Sequence, residues 1–332
     1  LTIRTEKPID PVDFAQRIED IKTHGLKNYY GVQRFGTPRF LAHLFGMHLL
    51  RGEFETCVKV YLTKESEFEL PFFSLKRKQA SEHFGDWQKM KEIFSELPYT
   101  YRFELAILDA LIKSPTDYLE AIHAVPEQSS MWIRAYSSYL INLLLAEADQ
   151  SGKTLPNEIP LMLGKEGDAD SWVMPWMKKH GTDGYRKYLR SFRFIQAGKN
   201  PTIEQIIRPT FHGSKVVPVG VVLSFDLQKG AYATTVLEAL FNIVTGYPVA
   251  EWVNRDEIDA KRELGTGDLG EVREFLRKHT RRAIDLRVGG GERVPGISRK
   301  DFDTLRGWVR SGEVEVIGFS PGLFKAPVEE AG

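Results

Sequence analysis

An α+β fold carrying a largely helical insertion is the architecture this sequence predicts, and three observations carry it. Residues Val216 to Leu227 alternate as a strand does, with Val219, Val221, Leu223, Phe225 and Leu227 on one face and Ser224 and Asp226 on the other. A second strand-like stretch, Leu1 to Arg4, opens the chain and is a candidate partner in the same sheet. Between the two, from about Arg39 to Asp149, apolar residues recur at helical spacing, as in Phe40, Leu44, Met47 and Leu50 and again in Leu105, Leu108 and Leu111.

Taken in order, the first strand is broken by Pro8 to Pro11. Asp10 is placed to cap a helix whose first position is Pro11, where the missing N–H costs nothing. Phe14, Ile18 and Ile21 repeat along that helix, and Gly25 ends it. Leu26 to Val32 reads as a strand running into a turn. In the helical region, the basic run Leu75 to Lys78 and a loop near Pro98 are expected to separate helices, and no fixed repeat period supports a solenoid. From Gly152 to Asn200 the chain is loop-rich, with Gly164, Gly167 and Asp168 and the pair Trp172 and Trp176. After the Val216 strand, Gln228 to Gly230 turns the chain into a helix from Ala231 to Val244, ending at Gly246. Beyond Tyr247 the pattern suggests a helix near Leu269 to Thr280, a glycine run at Gly289 to Gly291, a helix near Lys300 to Arg310 and a strand near Val314 to Phe319. Residues 1–38 and 208–246 are thus expected to form one domain, 39–207 an insertion within it, and 247–332 a C-terminal extension.

With 332 residues the chain can bury more than one core. Lys plus Arg and Asp plus Glu both number 45, so no basic excess advertises nucleic acid. A local basic stripe balanced by acidic surface elsewhere is still compatible with an RNA partner. The single cysteine, Cys57, rules out an intramolecular disulfide, disfavours a thiolate metal site and points to a reducing, cytoplasmic compartment. No apolar run approaches the roughly 20 residues that span a bilayer, so no membrane is expected, and no signal peptide precedes the first strand.

One stretch is compositionally unusual. Asn28 to Gly36 reads Asn-Tyr-Tyr-Gly-Val-Gln-Arg-Phe-Gly, with three aromatics, two amides, an arginine and two glycines in nine positions. Tyr29, Tyr30 and Phe35 offer faces for stacking, Arg34 reaches phosphate or lies on a base, and Asn28 and Gln33 can bond base edges. Gly31 and Gly36 let the backbone bend or approach a ligand. The same composition also describes a strand and turn whose aromatics pack on a neighbouring helix.

The nine residues resemble the signature of the TruD family of tRNA pseudouridine synthases, Asn-Tyr-Phe/Tyr-Gly-x-Gln-Arg-Phe-Gly. Two further segments resemble the family in the same order: Ala135-Tyr136-Ser137-Ser138-Tyr139-Leu140-Ile141-Asn142, and Leu223 to Thr234 with Ser224-Phe225-Asp226-Leu227-Gln228-Lys229-Gly230 inside it. The Gly85-Asp86-Trp87 phrase looks closer to the archaeal and eukaryotic branch. The resemblance runs from Leu1 to about Gly246. It implies a pseudouridine synthase-like mixed antiparallel sheet with flanking helices, and an α-rich insertion that forms a cleft. It also implies isomerisation of uridine to pseudouridine in tRNA, at uridine 13 of the D arm, with no cofactor and no metal; a monomer is expected. Binding should weaken as salt rises, because basic residues gathered in the cleft release counterions.

That chemistry needs a carboxylate nucleophile and a pocket for a flipped-out uridine. In the family the nucleophile is an Asp in a Lys-Asp-Lys/Arg phrase, which the resemblance places upstream of Leu1. A chain opening on Leu-Thr-Ile-Arg reads as starting inside a domain, so this chain alone is expected to be inactive. Asp226 and the Asp301 of Arg299-Lys300-Asp301 are given no catalytic role; Ser298 with Asp301 reads as a helix start. By resemblance, Asn28 orients the carboxylate or the base, the Tyr30 ring packs on the uracil, and Gly31, Gln33, Arg34 and Phe35 support the pocket wall. Arg208 is either an RNA contact or a solvated side chain, and Gly230, Tyr232 and Thr234 match a turn that presents backbone donors or only caps a helix.

Two other patterns carry less. Gly265-Thr266-Gly267-Asp268-Leu269-Gly270, with Asp285 further on, fits a dinucleotide fingerprint but follows a charged, helical stretch, Asp259 to Leu264, where a strand is required. The cluster Arg277, Lys278, Arg281 and Arg282 suits phosphate and equally a helix C-terminus. Alternative readings are a non-catalytic RNA-binding protein derived from the family, and a helical protein-interaction scaffold, which explains neither Asn28 to Gly36 nor Leu223 to Thr234.

Overall fold

The computed structural model describes residues 1–160, 171–192, 202–243, 250–254, 256–268, 270–271, 274, 315–316 and 324–325. In chain order these form β1 (Thr2–Arg4), α1 (Pro11–His24), β2 (Leu26–Lys27), a 3-10 turn (Val32–Phe35), α2 (Ala42–Arg51), α3 (Phe54–Thr63), α4 (Pro71–Glu82), α5 (Trp87–Phe94), α6 (Arg102–Lys113), α7 (Tyr118–His123) and α8 (Pro126–Ser151). There follow β3 (Glu158–Pro160), α9 (Met174–Lys179), α10 (Arg186–Leu189), β4 (Thr202–Glu204), β5 (Ile206–Ile207), β6 (Thr210–Val217), β7 (Gly220–Asp226), α11 (Ala233–Leu240), α12 (Ala260–Glu263), β8 (Glu315–Val316) and β9 (Phe324–Lys325). The described sheets are antiparallel and the helices many, so the α+β expectation holds. The chain divides into two compact units, one of residues 1–27 and 206–296, the other of 28–205 and 297–332.

In the first unit β7 is the middle strand of a sheet ordered β1-β7-β6, with Thr2 opposite Val222 and Val216 opposite Val221. Helix α1 forms as its ends dictate: Asp10 accepts from the Val12 amide at 2.8 Å, Pro11 occupies the first turn, and the Gly25 amide returns to Ile21 O. Phe14, Ile18 and Ile21 of α1 form one core with Ile207, Val221 and Leu223 of the strands and Val236 and Leu240 of α11.

The expected single strand Val216–Leu227 is instead a hairpin. Pro218 and Val219 form its turn, and Thr210–Val217, which showed no clear alternation, supplies the second strand. Pro218 lacks the N–H a ladder needs. Gly220, at φ 150°, lies so close to β1 that a Cβ there would collide with Ile3 O. Val222 is as buried as Val221, so the expected one-faced pattern does not hold for this central strand. Helix α11 is shorter than the expected Ala231–Val244, because Phe241 turns to extended backbone; Val244, Gly246 and Tyr247 lie outside the described residues.

The second unit is built on α8, a 26-residue helix that begins at Pro126 and ends at Gly152. It packs most extensively on α2, where a Cβ on Gly46 would collide with Trp132 O. The run Leu75–Lys78, expected to separate helices, lies inside α4. Lys76 and Arg77 are both buried there because each finds a carboxylate: Lys76 meets Glu96 at 2.5 Å, and Arg77 meets Glu69 at 3.0 Å and Glu104 at 2.9 Å. Arg77 and Arg39 together serve the C-terminal carbonyls of α3: Arg39 donates to Tyr61 O at 2.9 Å and Lys64 O at 2.7 Å, and Arg77 to Tyr61 O at 3.1 Å. Two cations at the negative end of a helix dipole are a favourable arrangement.

In the same unit β3 pairs antiparallel with β4, and β8 with β9. Trp172 lies under the Lys153 ammonium at 5.8 Å. Gly164, Gly167, Asp168 and the expected elements at Arg277–Arg282, Gly289–Gly291 and Lys300–Arg310 lie outside the described residues, as do Asp285, Ser298 and Asp301. Of the expected Leu269–Thr280 helix only residues 270–271 and 274 are described, and of the expected Val314–Phe319 strand only β8. Ahead of Gly265 stands α12, capped by Asp259, so the strand a dinucleotide fingerprint requires is missing there. Among the described residues no helix is long and apolar enough to cross a membrane.

Candidate functional site

The expected strand from Leu26 into a turn at Val32 is only two residues long. After β2 the chain stays irregular from Asn28 to Gly31 and then winds into the 3-10 turn Val32–Phe35, which Gly36 closes. Its irregular backbone is held by amides. Asn28 donates its backbone N–H to Gln205 O and its side-chain Nδ2 to Glu204 O, each at 2.9 Å. Two residues on, Asn142 of α8 accepts from the Tyr30 amide through Oδ1 at 2.8 Å and donates from Nδ2 to Tyr30 O at 3.0 Å. A side-chain amide thereby completes, in one residue, both backbone groups that a strand partner would have satisfied.

These bonds also fix which way both amides point, since a carbonyl cannot face a carbonyl. Asn28 Oδ1 is therefore directed away from Glu204 O. It is buried and accepts no hydrogen bond among the described residues, although Asn28 is only 4% exposed. A buried acceptor left unpaired is costly, and such groups gather where a ligand completes them.

Tyr30 is buried beside Asn28, with the Arg34 guanidinium 5.4 Å from its ring centroid. Tyr29 donates to Asp149 Oδ2 at 3.0 Å, and burial together with Asp149 pushes its pKa up to about 12. Gly31 is buried and Gln33 exposed, while Arg34 and Phe35 are half-buried. Phe35 sets its ring edge against His43 at 5.5 Å, and His43 lies 4.8 Å from Tyr139, which stacks on His180 at 6.1 Å. Burial pulls His43 down to about 4, so the imidazole is neutral at pH 7. The Tyr136 hydroxyl lies 3.0 Å from His180 Nδ1 and 2.7 Å from Thr182 Oγ1.

The structure thus brings Asn28, Tyr30, Gly31, Arg34 and Phe35 together, with Gln33 on the outer side of the turn. Arg208 is exposed and belongs to the first unit, between β5 and β6. Asp226 is exposed at the end of β7 and paired with His212 at 2.8 Å. Among the described residues no three His, Cys, Asp or Glu side chains converge as a metal site requires. The residue that sequence reasoning left without a role is Asn142. Its one signal was a polar amide at the end of the Ala135–Asn142 segment, on a helix whose buried residues are mostly apolar.

Comparison with known proteins gives one consistent family. Residues 1–160 match the family model described as tRNA pseudouridine synthase D (TruD). A Methanopyrus kandleri protein named "Probable tRNA pseudouridine synthase D" is 32% identical over 248 residues, covering 65% of this chain and 58% of that protein. A Pyrobaculum islandicum protein of the same name is 26% identical over 283 residues, covering 70% and 61%. The chain therefore spans about three fifths of these relatives' length. In fold it is similar to the crystal structure of a Methanosarcina mazei protein assigned as tRNA pseudouridine synthase D (TruD), with a TM-score of 0.56, 19% identity, and coverage of 72% of this chain and 67% of that one.

Proposed function

We propose, since residues 1–160 match the TruD family model, that this chain is the larger part of a tRNA pseudouridine synthase that isomerises uridine, at position 13 of the D arm, without cofactor or metal. In that reaction the C1′–N1 bond of the nucleotide breaks, a C1′–C5 bond forms, the C5 proton leaves to solvent and N1 takes one up. The attacking carboxylate is assigned to the Lys-Asp phrase that the family carries ahead of the matched region. Residues 1–38 and 208–246 are read as the synthase domain and 39–207 as the insertion within it.

The observation that carries the reading is the buried, unpaired Asn28 Oδ1 beside Tyr30. The unpaired atom is an acceptor and cannot bond a carboxylate, so the base is the role assigned to Asn28 Oδ1. Uracil N3–H is the donor it completes. Tyr30, held at both backbone groups by Asn142, offers its ring to the uracil, and Arg34 moves off the ring or toward the RNA backbone as the base enters. Gly31, Gln33 and Phe35 keep the turn in place, and Arg208 meets phosphate.

Release of tritium from C5-labelled uridine in a tRNA transcript, by a version of the protein extended upstream of Leu1, tests this. Release with a carbon-linked product supports it. A tRNA complex without release would favour the non-catalytic RNA-binding alternative.

A further inference from the structure

Within the helical unit a cavity of about 260 Å³ opens beside Gly36, the last residue of the signature segment. It plays no part in the site just described. Its walls are aromatic: Phe45, Tyr61, Phe73, Tyr101 and Trp132. Thr37, Thr100 and Met131 stand exposed at its mouth.

Its polar groups define what it can hold. Arg39, Arg77, Glu69 and Glu104 line it, two charges of each sign, and the arginines direct their Nη donors to α3 carbonyls and to Glu104. The cavity is therefore no trap for phosphate. Two donors remain. Tyr101 is only 2% exposed and its hydroxyl has no hydrogen-bond partner among the described residues. Arg39 Nε is likewise without a hydrogen bond, 3.9 Å from Glu69 Oε2. Burial keeps the Tyr101 phenol far above its ordinary pKa, so it stays a donor. A buried donor without an acceptor costs stability unless a ligand completes it.

The volume falls below the roughly 300–1,000 Å³ of cavities that enclose whole drug-sized ligands, which fits one ring system and not a nucleotide. Flat aromatic walls, neutral charge balance and unmet donors together select a planar, uncharged heterocycle with carbonyl acceptors.

We propose that this cavity takes one unpaired nucleobase, separate from the base that is isomerised, presented by the bound RNA or as a free nucleoside. The inference rests on the RNA-binding reading above. It gives the insertion a base-recognition role of its own, since stacking and carbonyl recognition are how proteins hold unpaired bases.

The test compares the upstream-extended protein with its Tyr101→Phe and Met131→Trp variants, measuring binding of a tRNA transcript, binding of uridine, and thermal stability. Tyr101→Phe removes only the unpaired hydroxyl, so the melting temperature should hold or rise while transcript affinity falls by about 3- to 10-fold. Met131→Trp, which fills the mouth from an exposed position, should weaken transcript binding at least as much. Loss of transcript affinity with no uridine binding assigns the base to RNA; loss of measurable uridine binding in both variants shows that a free nucleoside also enters. Wild-type affinity in both variants overturns the inference and leaves the proposed function standing. Failure of the unmodified protein to bind the transcript overturns both.

Discussion

Asn142 pairs with both backbone groups of Tyr30, at 2.8 and 3.0 Å, across 112 residues of sequence. The irregular stretch between β2 and the 3-10 turn is thereby fixed to the longest helix among the described residues of its unit. Tyr30 owes its position to that amide.

Replacing Asn142 with Leu strands the N–H and the C=O of Tyr30 at once, both in a partly buried site. The expected loss is about 2–4 kcal/mol in urea denaturation. Asn142→Asp should not rescue, because a carboxylate has no hydrogen for Tyr30 O. Stability equal to wild type in both variants would show that the clamp carries nothing.

Glu104 holds one side of a buried charge group. Burial opposes the charge on Arg77, and Glu104 and Glu69 overcome it, holding the guanidinium above its ordinary pKa. Glu104→Ala leaves Arg77 with one carboxylate fewer in a site where neither side chain exceeds 6% exposure. A cost of about 3–5 kcal/mol is expected by chemical denaturation.

His43 makes stability depend on pH with a definite sign. Its folded pKa is depressed from 6.5 to about 4 by burial, so between those values the unfolded chain binds a proton that the folded chain refuses. The stabilisation is complete above pH 6.5 and is lost as pH falls from there towards 4. His43→Phe should remove this part, so the drop in unfolding free energy from pH 7 to pH 5 should be smaller in the variant by up to about 2 kcal/mol. Equal drops would place His43 in water.

Cys57 is fully buried, its thiol donating to Phe45 O at 3.5 Å, and burial raises its pKa above the ordinary value. Thiol reagents should therefore leave the native protein unlabelled and label it at one position in denaturant. Labelling at the same rate in both conditions would contradict the packing of α2 against α3.

What the sequence made legible was local. The limits of α1 follow from Asp10, Pro11 and Gly25 because capping is short-range chemistry, and the helical run after Arg39 follows from spacing alone. The β6–β7 hairpin escaped because its turn, Pro218 and Val219, sits inside what reads as one apolar run, and the need for Gly220 beside it comes from its positive φ and the approach of Ile3. Arg77 looked like a separator until its two carboxylates, 8 and 27 residues away, were seen around it. In the candidate site, Asn28 and Tyr30 were singled out by type and order. The direction of the Asn28 carbonyl depends on a partner 176 residues away and the role of Asn142 on one 112 residues away, which no local pattern encodes.

The measurement that bears most directly on the account is tritium release and tRNA affinity for Asn28→Ala in the upstream-extended protein, read side by side. If Asn28 Oδ1 positions the uracil, release should fall on the order of 100-fold, while the dissociation constant stays within about 3-fold, because no phosphate contact is removed. Equal losses in both, or release unchanged from wild type, would contradict the role assigned to Asn28.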